Sequence, residues 1–187
     1  MRNICLILLS FLMLSCTEDS LPKPKGYLRL EYPKNTYKNL NLERPFQFDV
    51  SNQTVIKDLP NSWLKIEYPL LKASIDITYR PIKKNLKELL IESEKLVFKH
   101  TTKAEQIVST NFVNDQNRVF GSVYEITGNA ASQIQFHVTD STQHFIKGAL
   151  YFYVKPNYDS LLPAISYIRK DIAKIMETLE WRKSQQN

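Results

Sequence analysis

The chain has 187 residues, a formal net charge of +6 and a hydrophobic fraction of 43%. This length favours a single domain with a proper core, and the composition is that of a globular protein rather than a disordered one. The common nucleotide-binding enzymes are disfavoured, because a phosphate-cradling loop needs clustered glycines. The sequence has only four glycines, and no two are close enough together to build such a loop: Gly26, Gly121, Gly128 and Gly148.

The first fifteen residues have the pattern of a targeting segment. Arg2 supplies a positive charge, and Ile4–Leu14 is an apolar run of the length typical of a signal peptide. A membrane-spanning helix would need about 20 apolar residues. The run ends in Leu12–Cys16, LMLSC, which resembles a bacterial lipobox, in which the cysteine becomes the acylated N-terminus. The alternative is an ordinary secretory signal with an incidental cysteine.

Cysteine usage favours acylation. Removal of the signal peptide takes Cys5 away and leaves Cys16 as the one cysteine of the mature chain. A single cysteine cannot form an internal disulfide, and an unpaired thiol is unusual in an oxidising envelope. We therefore predict lipidation at Cys16, by diacylglycerol and an amide-linked chain such as palmitate. Two or more such chains give stable anchoring to membrane lipid.

The domain organisation follows from the composition along the chain. Tyr27–Tyr32 alternates in polarity and predicts an edge strand that ends at Pro33. The predicted parts are a lipoprotein signal peptide at 1–15, an acylated N-terminus and tether at 16–44, a single globular domain at 45–183 and a disordered tail at 184–187.

Alternating polarity predicts a series of strands in the globular part. The strand His144–Val154 is apolar in both of its rows, so we expect it to lie mid-sheet and to be covered on both faces. The other predicted strands are Phe46–Val50, Leu64–Tyr68, Ala73–Tyr79, Ile107–Val113, Arg118–Thr127 and the strand that carries Ile134, Phe136 and Val138.

Two helices are predicted. The first begins after Asn85, which has the residue type of an N-cap. The second has Ser160 as its predicted cap, Pro163 in its first turn and Trp181 closing its end. Apolar residues recur with a period of 3.6 in both helices. They are Leu86, Leu89, Leu90, Leu96 and Val97 in the first, and Leu161, Ile165, Ile168, Ile172, Ile175 and Leu179 in the second.

These elements predict an α+β fold in which an antiparallel sheet is sandwiched by a mid-chain helix and a long C-terminal helix. The order of the elements resembles that of PsbP-like domains. That resemblance is architectural, and a fold does not settle a function.

The histidines are the first candidates for chemistry. His137 and His144 flank the turn Asp140–Gln143, and both would lie on one sheet face if Thr139 paired with His144. Two histidines and a nearby carboxylate could ligate a metal. No third strong ligand is spaced into a motif, so we predict neither a metal nor a cofactor. His100, at the end of the first helix, is expected to pack or to interact with the helix dipole.

Nucleophilic catalysis is disfavoured as well. Ser141, His144 and Asp140 lie too close together on one turn for a nucleophile–base–orienter arrangement, and nucleophile-elbow glycines are absent. The sequence therefore predicts no catalytic residues.

An excess of polar side chains beside the apolar strand predicts a partner-binding surface, the alternative being a solvated hairpin end. The basic residues are dispersed and form no aromatic-interleaved tract, which disfavours nucleic acid. An anionic membrane surface or an envelope polymer is a more reasonable partner. The candidate residues are Asn129, Ser132, Gln135, His137, Asp140, Ser141 and His144.

Several segments carry a resemblance to a known family. They are Pro22–Tyr27, Trp63–Pro69, Ala73–Pro81, Arg118–Gly121 and above all Gly128–Asp171. In these segments the chain resembles the gliding motility lipoprotein GldD family of Bacteroidota. The resemblance implies a non-catalytic component or assembly factor of the gliding motility and type IX secretion machinery, in contact with other envelope proteins. It also implies a lipid-anchored location in the cell envelope, facing the periplasm or the cell exterior.

Two alternatives stay open at this stage. The first is an envelope enzyme or metal-dependent hydrolase that uses the face of His137 and His144. The second is a small carrier of apolar cargo, which would need an enclosed apolar cavity.

Overall fold

A computed structural model of the chain describes residues 31–99, 103–155 and 157–182. The predictions for the signal peptide, Cys16, His100 and the tail at 184–187 lie outside these residues, as does most of the predicted strand Tyr27–Tyr32.

The described residues form short and long strands together with two α-helices. The helices are α1 (Leu86–Phe98) and α2 (Tyr158–Thr178). The strands are β1 (Tyr37–Asn39), β2 (Phe46–Gln47), β3 (Asp49–Ser51), β4 (Val55–Leu59), β5 (Trp63–Tyr68), β6 (Ala73–Pro81), β7 (Ala104–Asn114), β8 (Val119–Gly128), β9 (Ser132–Thr139), β10 (His144–Phe152) and β11 (Glu180–Trp181).

The main sheet has seven strands in the order β4-β5-β6-β10-β9-β8-β7, and every neighbouring pair is antiparallel. Strand β10 is its central strand, which confirms the predicted mid-sheet position. Its inward residues Ile146 and Leu150 are buried in the core. A strand that is apolar in both rows needs cover on both faces, and the centre of this sheet provides it.

The two helices cover opposite faces of the sheet. Helix α1 lies over the face that carries His137, where the Ser93 hydroxyl approaches the imidazole. Helix α2 lies over the other face, where Tyr68 donates to Asp171. The two-stranded ribbons β1–β3 and β2–β11 join the core on the α2 side. The predicted α+β fold, with an antiparallel sheet and a mid-chain and a C-terminal helix, is confirmed.

Helix α2 buries the stripe that its 3.6-residue period predicts, but it begins earlier than expected. Its first residue is Tyr158, so Pro163 lies in the second turn and not in the first. Ser160 is not the N-cap. The Tyr158 amide instead donates to the Asn129 side-chain oxygen at 3.0 Å, so a distant loop satisfies the first turn. The buried stripe consists of Ile165, Ile168, Ile172, Ile175 and Leu179.

Helix α1 begins at the predicted place with different capping chemistry. Asn85 is the N-cap residue, but its side chain makes no cap hydrogen bond. Its oxygen accepts from the Lys83 amide at 2.7 Å and thereby stabilises the preceding turn. The residues that α1 buries most deeply are Leu89, Ser93 and Val97.

The chain packs onto the domain before Pro45, earlier than the sequence predicts. Strand β1 pairs with β3, and Leu40 belongs to the core. The predicted strand Phe46–Val50 is divided at Phe48, because β2 pairs with β11 whereas β3 pairs with β1.

Helix α2 allows a direct test of its packing face. We expect Ile172→Ala to lower the free energy of unfolding by about 2–5 kcal/mol, because Ile172 is 1% exposed and a cavity would remain. Lys170 lies two residues earlier, on the exposed side of the helix, so Lys170→Ala should cost less than about 0.5 kcal/mol. Chemical denaturation measures both values, and equal losses would contradict the assigned face.

Candidate functional site

The predicted surface residues are mostly not on the surface. Only Asn129 and Ser141 are exposed. Strand β9 is buried along its whole length, because β8 and β10 flank it and a helix covers each face. The polar row of this strand is therefore a buried row. The buried members of the predicted set are Ser132, Gln135, His137, Asp140 and His144.

The register of β9 and β10 separates the two histidines. Thr139 lies opposite Phe145, and not opposite His144. Because side chains alternate along a strand, His137 and His144 point to opposite faces of the sheet. The shared histidine face that a metal site or a hydrolase would need is therefore not formed.

His137 is packed beneath α1. Its ring stacks on Phe145 with centroids 5.8 Å apart and planes 13° apart, and its Nδ1 lies 3.5 Å from the Ser93 hydroxyl. Burial lowers the pKa of His137 below the ordinary histidine value, which favours the neutral ring. These contacts assign His137 to the core.

His144 lies on the opposite face, at the end of the sheet. Its ring stacks on Trp181 with centroids 5.1 Å apart and planes 9° apart, and its Nδ1 is 2.9 Å from the Tyr79 hydroxyl. Burial lowers the pKa of His144, and the negative charge of Asp140 opposes that shift. The ring joins the β9–β10 turn to the C-terminal strand β11.

Asp140 organises the turn between β9 and β10. Its carboxylate accepts from the backbone amides of Thr142, Gln143 and His144 at 2.8–3.0 Å, and from the Thr142 hydroxyl at 2.8 Å. Burial raises the pKa of Asp140, but these hydrogen bonds outweigh it and hold the pKa below the ordinary aspartate value. Asp140 thus acts as a turn acceptor, in the manner common for aspartate in turns.

A polar cleft of about 510 Å³ opens beside this turn, and we name it the Trp181 cleft. Its wall is fixed by Trp181, whose indole N–H donates to the Arg118 carbonyl at 3.1 Å. The Arg182 guanidinium is held by hydrogen bonds within the domain, because it donates to the Gln47 side-chain oxygen and to the Leu42 carbonyl, both at 2.7 Å. The cleft is lined by Gln116, Asn117, Arg118, Asp140, Thr142, Gln143, His144, Glu180, Trp181 and Arg182.

A partner could bind the cleft side chains that do not form the hydrogen bonds of the β9–β10 turn or of the C-terminal strand β11. Arg118 and Gln143 are exposed at its rim, and the Arg118 guanidinium donates to the Asp140 carbonyl at 3.5 Å. Sequence reasoning found Asp140 and His144 but missed Arg118 and Trp181, which lie far from them along the chain.

The described residues give no support to a metal centre or to a membrane-spanning helix. No three histidine, cysteine, aspartate or glutamate side chains among them are grouped so as to hold a metal ion. Neither of the helices in this part of the chain is both long and apolar enough to cross a membrane. An apolar recess beside Leu71 and Tyr167 has a volume of about 20 Å³, which is too small for an apolar cargo.

A second set of polar residues lies against the buried side of α2. We name it the Asp171 cluster, and it consists of Asn35, Tyr37, Tyr68 and Asp171. The carboxylate of Asp171 is buried and accepts from the Asn35 amide at 2.6 Å and from the hydroxyls of Tyr37 and Tyr68 at 2.9 Å. The cluster fastens the chain ahead of the domain to the terminal helix.

Among the described residues, the donors that hydrogen-bond to this carboxylate are neutral. Burial raises the pKa of Asp171, and the three hydrogen bonds only partly counter it. Burial and the neighbouring Asp171 charge also raise the pKa of Tyr68. The sequence contains a signal for this cluster, because Asp171 falls on the apolar stripe between Ile168 and Ile172. An acid on such a stripe indicates a buried, hydrogen-bonded carboxylate.

These features define an α+β domain with a polar cleft at one end of its sheet and an N-terminal segment fastened to its last helix. The chain belongs to the family described as gliding motility lipoprotein GldD, whose model matches residues 17–181. The resemblance found in the sequence is thereby confirmed. A search of curated proteins finds no match to the chain. Membership of this family implies involvement in gliding motility and a membrane-anchored location in the cell envelope.

Proposed function

We propose that the chain is a non-catalytic lipoprotein that binds or helps to assemble components of the gliding motility and type IX secretion machinery. The observation that carries this proposal is the family match, which spans residues 17–181 and so covers both the tether and the domain. The positions of His137 and His144 on opposite sheet faces support a binding role over a hydrolase built on both histidines.

The proposed anchor is acylated Cys16, which becomes the N-terminal residue when the signal peptide at 1–15 is cleaved off. The chain joins the domain at Tyr32, whose ring stacks on Tyr167 of α2 with centroids 4.8 Å apart. A fully extended chain from Cys16 to Tyr32 spans at most roughly 55–60 Å. The domain would therefore work within that distance of the membrane surface, on its periplasmic or exterior side.

Replacing the lipidated residue tests the anchor. We expect Cys16→Ser to release the protein from membranes into the soluble fraction, because stable anchoring needs two acyl chains. Fractionation after a high-salt wash, together with metabolic labelling with palmitate, measures the effect. Ser15→Ala, which keeps a small residue before the cysteine, is the matched control and should stay in the membrane. A Cys16→Ser protein that remains membrane-bound would contradict the proposed anchor.

We further propose that the partner docks at the Trp181 cleft. The cleft combines an aromatic wall, exposed hydrogen-bonding groups and the positive charge of Arg118, which suits a polar segment with an acidic group. Of the predicted surface residues, Asp140, Ser141 and His144 belong to this end of the sheet. Asn129 and Ser132 lie at the other end of β9, and Gln135 and His137 lie in its buried row on the α1 side, so these four residues are not part of the proposed docking site.

Reversing the charge at the cleft rim tests the docking site. Arg118→Glu should weaken partner capture and gliding at least about tenfold, because a like charge now faces the proposed acidic group. Folding should change little, since the Arg118 side chain is exposed. Lys87→Glu on the solvent face of α1 is the matched charge-reversal control. The measurements are site-specific crosslinking from Gln143 in cells, colony spreading and the thermal midpoint. Normal gliding and capture in a folded Arg118→Glu protein would rule out the cleft.

A further inference from the structure

The two edges of the main sheet are protected very differently. Strand β4 is short, carries Lys57 and Asp58, and is followed by Pro60, all of which discourage pairing with another strand. Strand β7 is eleven residues long, and residues 106–113 contain no charged residue and no proline. No other strand in the described part of the chain pairs with its outer side. An edge of this kind is a template for a further strand.

The hydrogen-bond pattern of the sheet shows which backbone groups of β7 point outward. At the β10–β6 pair, the Tyr153 amide donates to the Lys72 carbonyl and the Ile82 amide donates to the Gln143 carbonyl. Odd-numbered residues of β10 therefore bond to β6. Antiparallel pairing alternates, so the even-numbered residues bond to β9.

The same alternation extends through the observed registers of β9, β8 and β7. It assigns the even-numbered residues of β7, such as Thr110 opposite Val123, to hydrogen bonding with β8. The odd-numbered residues then direct their backbone N–H and C=O groups away from the sheet. These outward-directed residues are Ile107, Ser109, Asn111 and Val113.

We propose that β7 pairs with β7 of a second copy of this chain, antiparallel about a two-fold axis at Ser109. An axis at this odd-numbered residue sets outward-directed amides of the two copies opposite each other, with Ile107 of one copy facing Asn111 of the other. The same axis places Lys103, just before β7 in one copy, at the same end of the pairing as Asp115, just after β7 in the other, and both residues are exposed. The arrangement is self-complementary, as a two-fold interface must be.

Charge and size define where this pairing operates. The uncharged stretch at 106–113 lets two copies approach without local repulsion, although the full sequence has a formal net charge of +6. One strand pair buries less than the roughly 800 Å² per partner of a standard interface. The pairing therefore belongs to copies held close together on one membrane, and it is tested there with the full-length chain.

Disulfide trapping in membranes tests both the edge and the axis. In the proposed dimer the two Ser109 Cα atoms lie about 5.5 Å apart, within disulfide range. Mild oxidation of membranes that contain Ser109→Cys should give a homodimer. Gln106→Cys on the same strand would lie roughly 20 Å from its copy and should give at least about tenfold less. Leu70→Cys, exposed and remote from β7, reports random collision, and the chain with no added cysteine reports any contribution of Cys16.

A proline substitution separates strand pairing from simple proximity. Asn111→Pro removes an outward amide, so in the Ser109→Cys background it should reduce the dimer to the Leu70→Cys level. Asn111→Thr keeps both the amide and a polar partner for Ser122, and it should leave dimer formation unchanged. A thermal melt of each variant shows that the fold is kept.

Four results would overturn the proposal: no dimer above the Leu70→Cys level, equal yields along 106–113, an adduct with a different protein, or a dimer that survives Asn111→Pro in a folded chain. The third result would assign the edge to a strand of another envelope protein.

Discussion

Asp171→Ala is expected to lower the free energy of unfolding by roughly 3 kcal/mol or more. The substitution removes the carboxylate that accepts hydrogen bonds from Asn35, Tyr37 and Tyr68. Each donor that loses this acceptor costs about 1–3 kcal/mol. Loss of the buried charge offsets part of this total. Chemical denaturation measures the change. The N-terminal segment should also become more accessible to protease, because two of the donors belong to it.

Two variants make this expectation specific. Asp171→Asn keeps the side-chain volume and one acceptor, so it should cost less than the alanine variant. Tyr68→Phe removes a single hydroxyl donor and should cost about 1.5–3 kcal/mol. A loss below about 0.5 kcal/mol for Asp171→Ala, typical of a surface change, would show that the cluster does not hold the segment in place.

The pH dependence of the same variants has a defined sign. Because the pKa of Asp171 is raised in the folded state, the folded protein binds this proton more tightly than the unfolded chain. The resulting stabilisation is fully present below the ordinary aspartate pKa, and it is lost as the pH rises through the raised folded pKa. The stability of the wild type relative to Asp171→Asn should therefore fall across that window and then level off.

Gly121→Ala is expected to be the most damaging single-methyl change in the sheet, at about 3 kcal/mol or more. A Cβ at Gly121 would lie 1.9 Å from the His137 carbonyl oxygen and 2.9 Å from the Val138 Cα. Both are backbone atoms of the neighbouring strand, so relief requires β8 and β9 to separate. The expected readouts are poor soluble yield and a lowered thermal midpoint.

The matched comparison is Gly148→Ala on β10. The three atoms nearest to a Cβ there all belong to the ring of Phe136, the closest at 2.2 Å, and a side chain can turn aside where a backbone cannot. Gly148→Ala should therefore be destabilising by less than Gly121→Ala. The reverse order would contradict the assigned closeness of β8 and β9.

Local patterns predicted most of the fold correctly. The double apolar row of β10 indicated its central position, and the 3.6-residue stripe of α2 indicated its buried face, because periodicity reports which side chains must leave water. The same signals could not predict the cap of α2, since the acceptor for Tyr158 comes from Asn129 in a loop 29 residues earlier. The division of the predicted strand Phe46–Val50 into two strands could not be predicted either, because it depends on which distant strand pairs with each half.

The candidate site shows the limit most clearly. The turn chemistry of Asp140 follows from its residue type, but the faces of His137 and His144 depend on register, and a shift of one residue reverses a side chain's face. Arg118, Trp181 and the partners of Asp171 meet only through tertiary contacts across 22 to 136 residues of chain. The sequence by itself determined the two helices, six of the seven strands of the main sheet, the central position of β10 and the family. The tertiary structure decided which polar residues are buried, which line the Trp181 cleft and which edge of the sheet is open, because pairing between distant segments sets each of these.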